Sequence, residues 1–199
     1  DKDGNLIILY AQNKDEQYTY IESAKEKGYE VLLLDSPIIP HLIQKLESKN
    51  DKIKFSRVDS DTLENLIKKD DQVVSKLSDE EKDKLKPMIE TAVSEDKYTV
   101  QLEPLDSKSL PFMLAQPEFM RRMKEMQQTG GGGMGSMPDM FSLIVNTNHE
   151  LVSKILNTRT EKKRNSLIKQ SVDLAKLSQN TLTGKELTEF INRSIDLIK

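Results

Sequence analysis

The sequence predicts an α+β fold: a small α/β subdomain with a short parallel sheet, then an α+β domain ending in a helical hairpin that forms a dimeric four-helix bundle. Three observations predict it. Residues 1–60 alternate apolar runs of strand length with a stretch of helical spacing. Residues 61–140 mix helix and strand periods. The last stretch carries two long amphipathic segments joined through Asn180 and Thr183.

Leu6-Ile7-Ile8-Leu9-Tyr10 is a continuous apolar run and reads as a buried strand. Tyr18, Ile21, Ala24 and Lys25 keep helical spacing, and Gly28 follows as a C-terminal stop. Val31-Leu32-Leu33-Leu34 reads as a second buried strand, closed by Asp35-Ser36-Pro37. His41 to Leu46 is expected to be a short helix with Leu42, Ile43 and Leu46 inward, and Ile53 to Val58 a third strand. Strand, helix and strand in this order make a βαβ unit and hence a parallel sheet.

Asp59 to Ser78 is polar, with Leu63, Leu66 and Ile67 as its main apolar residues; it is expected to be a connecting helix marking the domain boundary, which divides the chain into 1–60 and 61–199. Ser78-Asp79-Glu80-Glu81 fits a capping box, in which the Ser78 hydroxyl and the Glu81 carboxylate each accept from the other's backbone amide. The helix it opens runs through Leu85, Met88, Ile89 and Ala92, and Pro87 is expected to kink or restart it. Tyr98 to Leu102 alternates as a half-buried strand; Leu110 to Ala115 is another, and Pro111 argues for an edge position.

Seven of the eight methionines lie between Met113 and Met140. Within that stretch Pro117 suits a first helical turn, and Phe119, Met120, Met123 and Met126 form a stripe at spacings of three and four. Arg121, Arg122, Lys124 and Glu125 point the other way. The run Gly130 to Gly135, interrupted by Met134, follows as a flexible tether, with Met137 beyond it. Methionine side chains repack against irregular apolar partners. Two coverings of the stripe stay open here: the chain's own core, or a foreign polypeptide. The glycines add the expectation that the helix is either poorly ordered or held by a neighbouring molecule.

Phe141 to Val145 is a strand, and Asn146-Thr147-Asn148 is expected to cap a helix carrying His149, Leu151, Val152 and Ile155. Arg164 to Ser178 is amphipathic through Leu167, Ile168, Val172, Leu174, Ala175 and Leu177; Lys185 to Ile198 carries Leu187, Phe190, Ile191, Ile195 and Ile198. One hairpin leaves part of such faces uncovered. Two-fold pairing of identical hairpins would cover them, and so would packing back on the chain's own domain.

Composition narrows the functional classes. Charged residues make up 32% of the chain, yet the net charge is only −3 with signs interspersed, which offers no basic field for nucleic acid. There is no cysteine, so thiolate chemistry is excluded and a reducing, cytoplasmic compartment fits. No apolar run approaches the ~18 residues that span a bilayer, so no membrane partner is expected. The first residue is Asp1, and the chain is expected to be a processed product or a piece of something longer. There is no Gly-x-Gly-x-x-Gly turn and no Gly-Lys-Ser/Thr loop. His41 and His149 are far apart in sequence, so a metal pair is not expected, and His149 suits a helix cap or the surface. Ser36, Ser107 and Ser109 lack a nucleophile-elbow context. No catalytic, cofactor or metal residues are assigned.

Phe141-Ser142-Leu143-Ile144-Val145-Asn146-Thr147-Asn148-His149-Glu150-Leu151-Val152, Ser171-Val172-Asp173-Leu174-Ala175-Lys176-Leu177 and Phe190-Ile191-Asn192-Arg193 stand in an order that resembles the carboxyl end of the ninety-kilodalton heat-shock chaperones, bacterial HtpG type. Upstream, Lys27 to Leu34 resembles a strand near the end of that family's middle domain, and the order matches over essentially the whole chain. The sequence departs from the family at Pro40-His41, where an acidic pair is usual, and it ends at Ile198-Lys199 without an acidic tail.

The resemblance implies that 1–60 is the last α/β subdomain of the middle domain and 61–199 the dimerisation domain. The ATP site, with its Mg, would lie in a part of the parent chaperone absent here. It implies a homodimer through Leu167, Ile168, Val172, Leu174, Ala175, Leu187, Phe190, Ile191, Ile195 and Ile198. It also implies contact with unfolded or partly folded clients through Phe119, Met120, Met123 and Met126. Two other classes compete: a purely structural dimerisation scaffold, and a small α/β enzyme such as a transferase, which would need the phosphate-binding glycine turn that is missing.

Overall fold

The computed structural model describes residues 1–68, 73–93, 98–130 and 140–198. Met134, Met137 and the glycines from 131 onward in the tether lie outside the described residues, so the expectation of a mobile tether does too. Among the described residues the fold is α+β, with eight helices and six strands. In chain order these are β1 (Leu6–Ala11), α1 (Tyr18–Glu26), β2 (Leu32–Leu33), α2 (Ile39–Lys49), β3 (Ile53–Arg57) and the single turn α3 (Leu63–Leu66). Then come α4 (Asp79–Val93), β4 (Tyr98–Glu103), β5 (Phe112–Ala115), α5 (Glu118–Gly130), β6 (Phe141–Asn146), α6 (Glu150–Asn157), α7 (Glu161–Ser178) and α8 (Gly184–Ile198).

Residues form two compact units: 1–72 with 115–140, and 73–114 with 141–199. In the first, the parallel sheet has the order β2-β1-β3, with Leu6 opposite Ile53 and Tyr10 opposite both Leu32 and Arg57. The central strand buries Leu9, Tyr10 and Ala11. Leu9 and Ala11 pack with Ile21 and Ala24 of α1, whereas Tyr10 packs with Ile39, Ile43 and Phe55. Alternate residues of β1 thus serve two cores on opposite faces, as the period of two requires. Gly28 takes φ +80° past the end of α1, the left-handed stop its position calls for.

Two expectations fail here. The second strand is only partly buried: it is a two-residue edge whose Leu32 and Leu33 stay exposed, while the flanking Val31 and Leu34 pack against the two cores. In α2 only Ile43 of the expected trio is buried, with Ile39 and Pro40, while Leu42 and Leu46 are exposed. That helix starts two residues earlier than expected, with Pro40 in its first turn, and the earlier start sets which face meets the sheet. Among its described residues the connecting segment contributes only α3.

In the second unit the sheet order is β4-β6-β5, with β4 parallel to β6 from Tyr98 opposite Phe141 to Glu103 opposite Asn146. Leu143, Ile144 and Val145 of the central strand are fully buried. The core joins Leu143 and Val145 to Leu85 and Ile89 of α4, Val152 and Ile155 of α6, and Ile168, Val172 and Ala175 of α7. The capping box forms as expected: Glu81 N–H donates to Ser78 Oγ at 3.3 Å and Ser78 N–H to Glu81 Oε2 at 2.9 Å. Pro87 lies exposed inside α4, and the helix continues past it without restarting. β5 is an edge strand, and Pro111, just before it, still accepts from Asn146 N–H at 2.9 Å through its carbonyl.

Candidate functional site

Helix α5 has an unusual mounting. Amphipathic helices normally bury their apolar stripe, yet between Glu118 and Gln127 the only buried side chain is Arg121, 3% exposed, while Phe119 is 69% exposed and Met120, Met123 and Met126 are partly exposed. The charged side holds the helix to its own unit. Arg121 donates through Nη2 to Glu118 Oε1 at 2.6 Å and to the Tyr10 hydroxyl, and through Nη1 to Glu125 Oε1. Its guanidinium also lies 5.7 Å from the Tyr10 ring centre, within cation–π range. Tyr10 in turn donates to Glu118 Oε1 at 2.9 Å.

Arg122 makes the second clamp. It donates through Nε to Glu118 Oε1 at 2.7 Å, through Nη1 to Glu47 Oε2 of α2 at 2.7 Å, and through Nη2 to the Phe55 carbonyl of β3. Arg57 of β3 lies 3.7 Å from Glu125, and it also donates to Gln12 Oε1 at 2.7 Å and to Asp59 Oδ1 at 2.6 Å. Burial alone would raise the Glu118 carboxyl, but the Arg121 and Arg122 guanidiniums and the hydrogen bonds from Arg122 and Tyr10 outweigh it and hold the group below the usual range. Burial and the neighbouring Glu118 carboxylate push the Tyr10 phenol up.

The terminal helices divide the ten residues expected at a dimer contact. Ile168, Val172 and Ala175 are buried in the core of their own unit, and Leu167 packs against it. Phe190 is buried and Leu187 half-buried. Leu174, Ile191, Ile195 and Ile198 are exposed, and so is Leu177, one helical turn from Leu174. On α8 the exposed isoleucines recur at spacings of four and three, which places them on one face. Polar contacts tie the two helices together: Gln170 Nε2 donates to Ser194 Oγ at 3.0 Å, Lys176 pairs with Glu186 at 3.1 Å, and Arg193 pairs with Asp173. Burial raises the Asp173 carboxyl despite the nearby Lys169, Arg193 and Lys176 cations.

The Asn146-Thr147-Asn148-His149 stretch is a structural knot rather than a simple cap. Asn146 Oδ1 accepts from Leu105 N–H at 3.2 Å and Asn148 N–H at 3.0 Å, and its amide donates to the Asp106 carbonyl at 2.8 Å. Asn148 donates to the Val74 and Leu105 carbonyls at 3.1 and 3.0 Å and accepts from Lys76 N–H at 2.6 Å. The cap of α6 is His149, whose Nδ1 accepts from Leu151 N–H at 3.0 Å. The asparagines are one residue or more too early to cap; their buried side chains instead satisfy backbone groups of two crossing loops. His41 is exposed. Among the described residues no group of three or more His, Asp or Glu side chains is placed to hold a metal ion, and no helix is long and apolar enough to cross a membrane.

Fold and site together define a class: a two-unit α+β chain whose methionine-rich helix is tied to its unit by charges and leaves Phe119 exposed. No protein-family model matches it. It is similar to the chaperone protein HtpG of Bacteroides thetaiotaomicron, 44% identical over 162 residues, which are 79% of this chain and 24% of that protein. It is also similar to those of Porphyromonas gingivalis, 39% identical over 182 residues (89% and 27%), and Bacteroides fragilis, 44% identical over 161 residues (78% and 24%). The chain belongs to the HtpG type of the ninety-kilodalton heat-shock chaperone family, and it spans about a quarter of the length of the curated relatives it matches.

Proposed function

We propose that this chain is the dimerisation and client-contact module of an ATP-dependent chaperone that assists protein folding under stress. In this proposal residues 1–60 end the parent's middle domain and 61–199 form its carboxyl-terminal domain. The module is not itself an enzyme, and it binds no cofactor; ATP and Mg act elsewhere in the parent protein, in the cytoplasm. Its partners are a second copy of itself and unfolded or partly folded polypeptides.

The observation that carries the proposal is the apolar stripe of α5, exposed at Phe119 and half-covered at Met120, Met123 and Met126. A Phe119 that is two-thirds exposed, beside three flexible methionines, supplies an adaptable apolar surface of the kind that tolerates many sequences. The exposed Leu174, Ile191, Ile195 and Ile198 support the second half, since two such hairpins pack as a four-helix bundle that covers them. The mechanism is mechanical: the bundle keeps two chains together while ATP-driven parts of the parent clamp.

The test is a double variant, Met120→Ser with Met123→Ser, titrated with a permanently unfolded polypeptide. Binding is expected to weaken while the melting temperature changes little, because none of the stripe residues is fully buried. A large loss of stability, or unchanged binding, overturns the client assignment.

A further inference from the structure

Helix α5 is 13 residues long, a length at which an isolated helix is marginal in water. Between Glu118 and Gln127 it buries no apolar side chain. Tertiary packing of an apolar face, the usual source of helical stability, is therefore only partial over that stretch, where Met120, Met123 and Met126 are half-buried and Phe119 is exposed. The rest is the polar seam: Glu118, Arg121, Arg122 and Glu125 on the helix, facing Tyr10 within β1 and Gln12 just after it, Glu47 on α2, and Arg57 with the Phe55 carbonyl on β3. Arg121 is the centre of that seam, since it alone joins Tyr10, Glu118 and Glu125. Its Nε is buried without a hydrogen-bond partner, so even this node is incompletely satisfied.

Seams of this kind have a particular energetic character. The cost of stripping water from buried charges offsets most of their mutual attraction, so the complete set stabilises modestly; removing one member strands the others and is strongly unfavourable. An element held mainly by such a seam attaches or detaches as a unit.

We propose that α5 is a detachable helix held by a charge latch centred on Arg121, and that latching is what keeps the helix folded and so arrays Phe119, Met120, Met123 and Met126 in one stripe. Arg121 is then a positioning residue for client contact: it touches no client, yet it sets whether the client-binding surface exists. The first half stands on the hydrogen-bond geometry; the second rests on the client-contact proposal above.

The experiment is amide hydrogen exchange on the full 199-residue chain, with binding of the unfolded polypeptide measured in parallel. Arg121→Met is expected to speed exchange at residues 119–127 by about a hundredfold or more, the scale of breaking a buried pair, while β1, β3 and α1 keep their protection. Arg121→Lys, which keeps the charge but loses the planar fork, is expected to fall between Met and wild type. Tyr10→Phe removes one hydrogen bond and is expected to give a smaller rise in the same amides. Unchanged exchange at 119–127 in Arg121→Met overturns the latch. Equal loss of protection in β1 and β3 overturns it as well, because Arg121 would then be part of the unit's core. Faster exchange at 119–127 with client binding lost supports both halves. Faster exchange with binding intact keeps the latch and overturns the client role of the stripe.

Discussion

Replacing Ile191 and Ile195 together with serine tests the proposed pairing of terminal hairpins. Each isoleucine is close to half exposed, at 47% and 46%. Full burial of such a side chain is worth roughly 1.5–3 kcal/mol, so covering the remaining half contributes about 1 kcal/mol per side chain. A two-fold contact contains both residues twice, and the double substitution therefore removes about 4 kcal/mol of association energy. At 1.4 kcal/mol per factor of ten, the dimer dissociation constant rises about a thousandfold. The monomer loses little, since serine at an exposed helical position costs only about half a kcal/mol in propensity. Sedimentation equilibrium over a range of protein concentrations reads the constant directly. Thermal melting gives an independent readout: the wild-type midpoint should depend on concentration, and the variant's should not. A wild-type chain that stays monomeric at micromolar concentration refutes the reasoning. So does a variant that dimerises as tightly as wild type, since the displayed isoleucines would then lie outside the contact.

Two further outcomes follow from the same geometry. Asn148→Ala removes three side-chain hydrogen bonds to buried loop backbone and should lower the urea-unfolding free energy by about 2–3 kcal/mol; a loss below about 0.5 kcal/mol would mean that the loops find other partners. Glu118 has a folded-state pKa held below its unfolded value near 4.3, so its contribution is complete above that value and is lost as pH falls through the folded one. Exchange protection at residues 119–127, measured relative to β1, should therefore decline on acidification below about pH 4; Glu125, Glu47 and Asp59 face guanidiniums of the same seam, and a constant ratio counts against the Glu118 clamp.

Much of this architecture was legible in the sequence where the determinants are local. The capping box at Ser78 and Glu81 is a four-residue pattern, and it forms as written. The stop at Gly28 needs a positive φ and has one. The stripe from Phe119 to Met126 shows in its spacing alone, and its opposite face was expected to carry Arg121 and Arg122. What the spacing left open is which of those faces the chain uses to dock. The partners that decide it, Tyr10, Glu47 and Arg57, lie more than sixty residues upstream, and nothing periodic near α5 points to them. The pairs Glu118–Arg122 and Arg121–Glu125 were visible as neighbours four apart, the one local hint of a charged seam. The exposure of Leu32 and Leu33 has the same cause. An apolar run states that a strand is comfortable when buried, but sheet order decides whether it has neighbours on both sides.

The charged mounting of α5 also sets how the helix responds to heat. Hydrophobic stabilisation per unit area levels off as temperature rises, whereas the penalty for desolvating ions falls because ionic hydration is entropically unfavourable. A seam built from Glu118, Arg121, Arg122, Glu47 and Arg57 therefore gains on the apolar cores around it as the protein warms. The element bearing the displayed methionines is thus fastened by the class of contact least weakened at the temperatures where other proteins begin to expose their interiors.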